Sequence, residues 1–209
     1  MADPETKEKL LAAARQLMRA KGFAATTVDE ICQTAGLTKG AFFHYFESKD
    51  ALGRAAVERF ADDFSCALRS APFHREADAV DRVYGYIDFM VEMGRSTTAG
   101  SGCLVGIFAQ ELADIQPDVR KVCAESFSNW TEQLRELLEE AKRRRAPRVD
   151  FDARSVAYHL FAVLEGALIL QKATGRPEVV VEHVMHYRRY VESLLGSGEA
   201  HRPHHRRQR

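Results

Sequence analysis

The stretch Thr27-Val28-Asp29-Glu30-Ile31-Cys32-Gln33-Thr34-Ala35-Gly36-Leu37-Thr38-Lys39-Gly40-Ala41-Phe42-Phe43-His44-Tyr45-Phe46 decides how this chain folds. Thr27 and Glu30 stand three apart, hydroxyl first and carboxylate last, the reciprocal capping pattern that begins a helix. Val28, Ile31, Cys32 and Ala35 give that short helix its apolar side, and Gly36 ends it. Leu37 is a single apolar residue in the turn, Thr38 caps a second short helix, and Ser48 caps a long one starting at Lys49. Two short capped helices joined by a glycine turn have the outline of a helix-turn-helix. At about 100° per residue, Phe42 and Phe46 fall on one side of the second helix, with Gly40, Ala41 and His44 opposite and Phe43 and Tyr45 flanking them. A major groove about 12 Å wide admits a helix whose leading residues are this small. Lys39 and Lys49 stand at helix starts, where backbone N–H groups and cations can both meet phosphate, and Thr26, Thr27 and Thr38 add hydroxyls. The alternative is a capped αα corner inside a helical enzyme.

Outward from this stretch every periodic segment repeats at three and four residues, so the fold class is all-α. A first helix is expected from Pro4 to Lys21, with Leu10, Leu11, Ala14, Leu17 and Met18 on one stripe and Gly22 closing it. Beyond residue 48 the helices lengthen: Lys49 to about Arg69, about Glu76 to Arg95, Cys103 to Leu112, a long one from Pro117 to Arg145, then Ala153 to Ala173 and Glu178 to Leu195. Residues 97–102 are small and read as a connection. The expected organisation is an N-terminal three-helix domain over 4–64, a larger helical domain over 65–196, and a disordered basic tail over 197–209.

Composition narrows the class. The 209 residues hold 30 Lys+Arg against 30 Asp+Glu, 45% apolar and 29% charged residues, as in ordinary globular proteins. Zero net charge gives no global pull on nucleic acid, so a DNA contact must come from a local patch. Met1 to Leu11 carries three acids and two lysines, unlike a basic-then-apolar signal segment, and no uninterrupted apolar run reaches the length of a membrane span; a cytoplasmic protein with no membrane partner is expected. The four cysteines, at 32, 66, 103 and 123, form no C-x-x-C pair and are expected as free thiols. With no Gly-rich phosphate loop, nucleophile elbow or paired acid and base, catalysis has no visible seat, and neither a cofactor nor a metal is expected.

Phe23-Ala24-Ala25-Thr26-Thr27-Val28-Asp29-Glu30-Ile31, followed by Ala35-Gly36-Leu37-Thr38-Lys39-Gly40-Ala41-Phe42-Phe43-His44-Tyr45-Phe46-Glu47-Ser48-Lys49-Asp50-Ala51-Leu52, closely resembles the DNA-binding domain of TetR-type regulators. The resemblance implies an all-helical protein of about nine helices that acts as a homodimer on double-stranded operator DNA. It further implies a repressor that leaves the operator when a small effector enters the larger domain. Carried over by position, Lys39, Gly40, Ala41 and His44 are the candidates for base edges, and Thr27, Thr38, Tyr45 and Lys49 for phosphate. Phe43 departs from the family's usual tyrosine, which points it to sugar or a thymine methyl.

In such proteins the last two helices of each subunit pair across the dimer. The helix from Ala153 is independently too apolar for one buried side. The expected interface is Val156, Leu160, Val163, Leu164, Gly166, Ala167, Val184, Tyr187 and Val191, the alternative being a core helix of a monomer. Phe64, Tyr86, Phe89, Met90, Met93, Cys103, Phe108, Trp130 and Tyr158 are the candidate lining of a cavity for a largely apolar or aromatic effector. Cys103, after Ser101-Gly102 at a helix start, is also a candidate thiol sensor, since N–H dipoles would lower its pKa; the alternative is a small buried hydrophobe. Gly102-Cys103-Leu104-Val105-Gly106 resembles one subgroup of the family in which some members sense electrophiles or oxidants through a cysteine. His183 and His186 share a helix side but lack further ligands and read as solvated or packing histidines.

Overall fold

The computed structural model describes residues 4–96 and 101–196. Among these are nine α-helices and no strand: α1 (Pro4–Lys21), α2 (Val28–Ala35), α3 (Lys39–Tyr45), α4 (Lys49–Ser70), α5 (Ala79–Ser96), α6 (Leu104–Leu112), α7 (Pro117–Arg145), α8 (Ala153–Thr174) and α9 (Glu178–Gly196). The all-α class is as expected. The tail over 197–209 and most of the connection over 97–102 lie outside the described residues.

The caps fall where the sequence placed them. Thr27 Oγ1 accepts from the Glu30 N–H while Glu30 reaches back to the Thr27 N–H, and Gly36 ends α2 at φ 67°, a conformation that costs glycine little. Thr38 and Ser48 cap α3 and α4 through the N–H groups of Ala41 and Ala51. Most helix ends fall within a residue of expectation, and the largest difference is at α5, which begins at Ala79, not Glu76, because Asp78 caps it by accepting from the Val80 N–H at 2.7 Å. Before it, Pro72–Arg75 form a 3₁₀ turn that burying Phe73 holds in place.

Two cores result. Leu10, Leu11, Ala14 and Met18 of α1 meet Ile31, Phe42, Phe46 and Leu52, all buried, so the short helices α2 and α3 are carried by α1 and the first turns of α4. In the larger part, α5, α7, α8 and α9 pack on one another around Tyr86, Met90, Trp130, Leu134, Leu160, Val184 and Tyr187. α4 serves both, and α6 lies between them, touching α1, α4 and α7. α8 is long and apolar enough to cross a membrane by length and composition, and it packs against α7 and α9.

Candidate nucleic-acid interface and effector cavity

α3 turns its two faces as the pattern requires. Phe42 and Phe46 are buried, whereas Lys39, Gly40, Phe43 and His44 are exposed and Ala41 and Tyr45 half-buried. Phe43 is 57% exposed, an apolar ring held out into solvent against the edge of Phe42. Gly40 is exposed, and a Cβ there would meet only Thr38 Oγ1, at 3.7 Å, so a groove wall can approach the backbone. Lys39 Nζ sits 2.7 Å from Asp29 Oδ1, which raises the Lys39 pKa through that hydrogen bond. Both partners are exposed, so the pair is weak and exchangeable for phosphate. Thr38, exposed, accepts from Ala41 and retains a proton to donate.

Three expected phosphate donors stand elsewhere. Thr26 is fully buried and its hydroxyl donates to the Gly22 carbonyl at 2.7 Å, so it cannot offer that proton to DNA. The Thr27 hydroxyl donates to Glu30 Oε2 at 2.8 Å inside the capping box. That box, with Lys21 giving the strongest hydrogen bond, holds the Glu30 carboxyl down at about 2. Lys49 Nζ turns inward, donating to the carbonyls of Phe23 (3.1 Å) and Thr26 (3.0 Å) over the Phe23 ring. It staples the loop before α2 to the start of α4. Backbone carbonyls that need a donor take Thr26 and Lys49, and the capping carboxylate takes Thr27.

A cavity of about 130 Å³ lies between α1, α4, α5, α7 and α8. Phe60, Phe64, Trp130 and Phe161 supply its aromatic wall, Met93, Leu164 and Leu168 its aliphatic wall, and Arg19, Gly102, Cys103 and Glu165 one polar end. A second recess of about 330 Å³ shares Gly102, Cys103, Glu165 and Leu168 and adds Gln110, Glu111 and Lys172. Of the expected lining, Phe64, Met93, Cys103 and Trp130 are there. Tyr86, Met90 and Phe108 are instead solid core, Tyr86 donating to the Trp130 carbonyl at 3.0 Å. Phe89 faces a separate groove with Phe73 and Tyr84, and Tyr158 is exposed.

Sequence reasoning missed Arg19 and Glu165. Glu165 is a single carboxylate inside the apolar run of α8, a signal that was visible. Burial raises its pKa to about 7, and the Cys103 thiol donates a hydrogen bond to it. Its Oε1 is buried with no hydrogen-bond partner among the described residues. The expected lowering of the Cys103 pKa is overturned: desolvation, followed by the nearby Glu165 charge, raises the thiol well above its ordinary value despite N–H groups of α6. Arg19 belongs to α1 yet lines the cavity. Its Nε donates to the Gly102 carbonyl at 2.9 Å and its own carbonyl accepts from the Gly102 N–H at 3.0 Å, while the guanidinium lies over Phe60.

α6 continues this link toward the helix-turn-helix. Glu111 Oε2 accepts from the Ala24 N–H at 2.8 Å, and Phe108 meets Phe23 edge-on at 5.5 Å between centroids. Gly22, at φ 90°, leaves the space that the Glu111 carboxylate occupies.

The expected dimer surface is largely corrected. Val156, Leu160, Ala167, Val184, Tyr187 and Val191 are buried within the subunit, Tyr187 donating to the Val156 carbonyl at 2.9 Å, and Leu164 lines the cavity. Val163 and Gly166 are half-buried. The outward stripe of α8 is Tyr158, Ala162, Gly166, Ile169 and Ala173, with Tyr190 exposed on α9. Among the described residues no cluster of three His, Cys, Asp or Glu side chains could hold a metal ion.

A slim exposed helix on a two-helix corner, mechanically joined to a cavity-bearing helical body, defines a DNA-binding regulator of the helix-turn-helix type. Residues 10–56 match the family described as bacterial regulatory proteins, tetR family, and residues 79–189 match the tetracyclin repressor-like C-terminal domain. The chain belongs to the TetR family of transcriptional regulators, a family of DNA-binding proteins and not of enzymes. It is 27% identical over 172 residues to the HTH-type transcriptional repressor DhaR of Mycobacterium sp. (strain GP1), covering 82% of this chain and 85% of that protein. It is 26% identical over 187 residues to the repressor NemR of Escherichia coli K12, covering 90% and 94%. The crystal structure of E. coli NemR in its reduced form superposes with a TM-score of 0.71 at 26% identity, over 88% of this chain and 96% of that one. That of a TetR regulatory protein from Rhodobacter sphaeroides gives 0.74 at 26%, over 88% and 97%.

Proposed function

We propose that this chain is a cytoplasmic homodimeric repressor that binds double-stranded operator DNA through α2 and α3 and releases it when a small, largely apolar or aromatic effector enters the cavity walled by Trp130. Residues 4–64 are the DNA-binding unit and 65–196 the effector-binding and dimerising unit. Lys39, Gly40, Ala41 and His44 approach base edges, Phe43 meets sugar or a thymine methyl, and Thr38 and Tyr45 serve phosphate. The observation that carries the reading is the double hydrogen bond of Arg19 and Gly102, because one residue of the DNA-binding unit is thereby a wall of the cavity. A molecule that displaces Arg19 or shifts α6 moves the α1 end and, through Phe23 and Lys49, the seat of α3. An effector changes affinity only by its differential binding to the two seats of α1.

Two copies pair through the outward stripe of α8 and exposed Tyr190, placing two α3 helices about 34 Å apart, one DNA turn. The test is binding to DNA upstream of its own gene across salt concentration. Neutralising several phosphates per dimer predicts affinity falling by orders of magnitude between low and moderate salt. A flat salt response refutes the proposed use of α3.

A second reading makes covalent modification of Cys103 the signal, favoured by its place on the wall shared by both recesses. Iodoacetamide tests it: the sulfur displaces iodide, the thiol proton passes to Glu165, and the carbamidomethyl group fills the polar end. Operator release by this reagent that Cys103→Ser abolishes supports the reading; release that persists in Cys103→Ser removes it.

A further inference from the structure

The polar end of the cavity defines the chemistry of what fits it, taking the cavity as the effector site. Four aromatic rings and three aliphatic side chains line a half-open cavity of about 130 Å³. An apolar cavity of about 150 Å³ holds one benzene, so the volume suits a molecule of about one ring. Such a wall alone would select nothing beyond size. Glu165 is the exception, since its Oε1 is buried and has no hydrogen-bond partner among the described residues, a costly condition for a carboxyl group. The position is built to hold it there. A Cβ on Gly106 would stand 2.1 Å from Oε2, and the Cys103 thiol donates to the same carboxyl. Arg19, whose Nε is already engaged by Gly102, places a guanidinium at this end as well.

We propose that the effector is a neutral, single-ring molecule bearing one hydroxyl or N–H group, which it donates to the Glu165 carboxyl while its ring lies among Phe60, Phe64, Trp130 and Phe161. Above pH 7, where Glu165 is ionised, the two charged side chains decide the neutrality. A cationic ligand leaves its charge in a wall that also holds the Arg19 guanidinium, and an anionic ligand leaves its charge in a wall that also holds the Glu165 carboxylate, each beside apolar side chains where an unbalanced charge is expensive. A neutral donor completes Glu165 and leaves the Arg19–Gly102 pair to respond to the ring.

The chain has a single tryptophan, so Trp130 fluorescence reports occupancy of this cavity. The probes are phenol, fluorobenzene and benzoate, titrated into the full-length protein at about pH 8, above the value of about 7 to which burial raises Glu165. Phenol and fluorobenzene share one ring and nearly one shape, and only phenol donates. The expected result is phenol binding about 10-fold or more tighter than fluorobenzene, in the range of a hydrogen bond to a charged group, with benzoate weakest. In Glu165→Leu the phenol preference disappears while fluorobenzene binding holds or improves. If that variant does not fold, Glu165→Gln, which keeps an acceptor oxygen and loses the charge, narrows the preference. Equal affinity for phenol and fluorobenzene in the wild type, or a benzoate affinity matching that of phenol, overturns the donor inference and leaves the cavity as an effector site. No response of Trp130 to any of the three overturns the cavity reading itself.

Discussion

Gly106 on α6 is the residue that lets Glu165 of α8 lie flat against its neighbour: a methyl group there would fall 2.1 Å from Oε2 and 2.8 Å from the carboxyl carbon. Gly106→Ala therefore displaces the carboxyl, breaks its contact with Cys103 and reshapes the polar end of both recesses. Stability should change by less than about 1 kcal/mol, since the displaced atoms are the far end of a flexible side chain and alanine favours a helix interior, while the phenol preference should shrink because the acceptor has moved. Denaturant midpoints and the same fluorescence titration measure the two effects. An alanine variant with unaltered selectivity contradicts the arrangement.

The same carboxyl gives the fold a pH dependence of definite sign. Burial raises Glu165 from 4.5 to about 7. Below 4.5 folded and unfolded chains both hold the proton. Between 4.5 and 7 the unfolded chain loses it while the folded chain keeps it, so this group's contribution to stability falls as pH rises and levels off above 7. Glu165→Gln has no such proton. Its stability relative to wild type should climb across that window by on the order of 2 kcal/mol, discounting the full shift for partial exposure. Chemical denaturation of both proteins at a series of pH values checks this, and parallel curves would refute it.

Lys49 and Lys39 separate two kinds of lysine at helix starts. Lys49→Ala leaves the Phe23 and Thr26 carbonyls without their shared donor and should cost about 1–3 kcal/mol of stability. Its effect on operator binding follows from that loss and leaves the salt dependence unchanged. Lys39→Ala breaks only an exposed pair with Asp29, so stability stays within about 0.5 kcal/mol and the salt slope drops by about one. Thermal melts beside salt titrations distinguish the two, and a reduced slope for Lys49→Ala restores it as a phosphate contact.

His44→Ala tests base reading. His44 is exposed on the outer side of α3 beside Gly40. Its replacement should change which operators are preferred, by about 1–3 kcal/mol at the affected base pair, and selection from random DNA reads this directly. A uniform loss on every sequence assigns His44 to the backbone instead.

What the sequence made legible was periodicity and capping. Thr27, Gly36, Thr38 and Ser48 set the ends of α2, α3 and α4 because caps are local, and Phe42 against Gly40 and His44 followed from a helical turn alone. What it did not reveal depends on distant partners. Nothing local says that the Lys49 ammonium finds carbonyls 23 and 26 residues away, or that Arg19, at the end of a helix, meets Gly102. α8 shows why apolarity alone does not separate a subunit's own core from a surface it offers to a partner. It buries one side on α9, another on α7 and the cavity, and leaves a third outward, so the most apolar residues are the subunit's own core.

That third side gives the last prediction. Ala162 and Gly166 are small, Ile169 is 52% and Tyr158 45% exposed, and nothing within 4 Å would meet a Cβ at Gly166. Such a stripe on a helix lets a twin helix approach closely, and an obligate contact of this kind buries about 2,000 Å² or more. Ala162→Arg adds a charge at the middle of the stripe and removes no contact inside the subunit. It should give a folded monomer with an unchanged helical spectrum, and operator affinity should fall by orders of magnitude because two half-sites no longer bind as one. Val184→Arg, by contrast, buries a charge in the subunit core and should unfold the chain. Sedimentation and circular dichroism on the two variants discriminate the faces: a dimeric Ala162→Arg protein with full operator affinity places the subunit contact somewhere else.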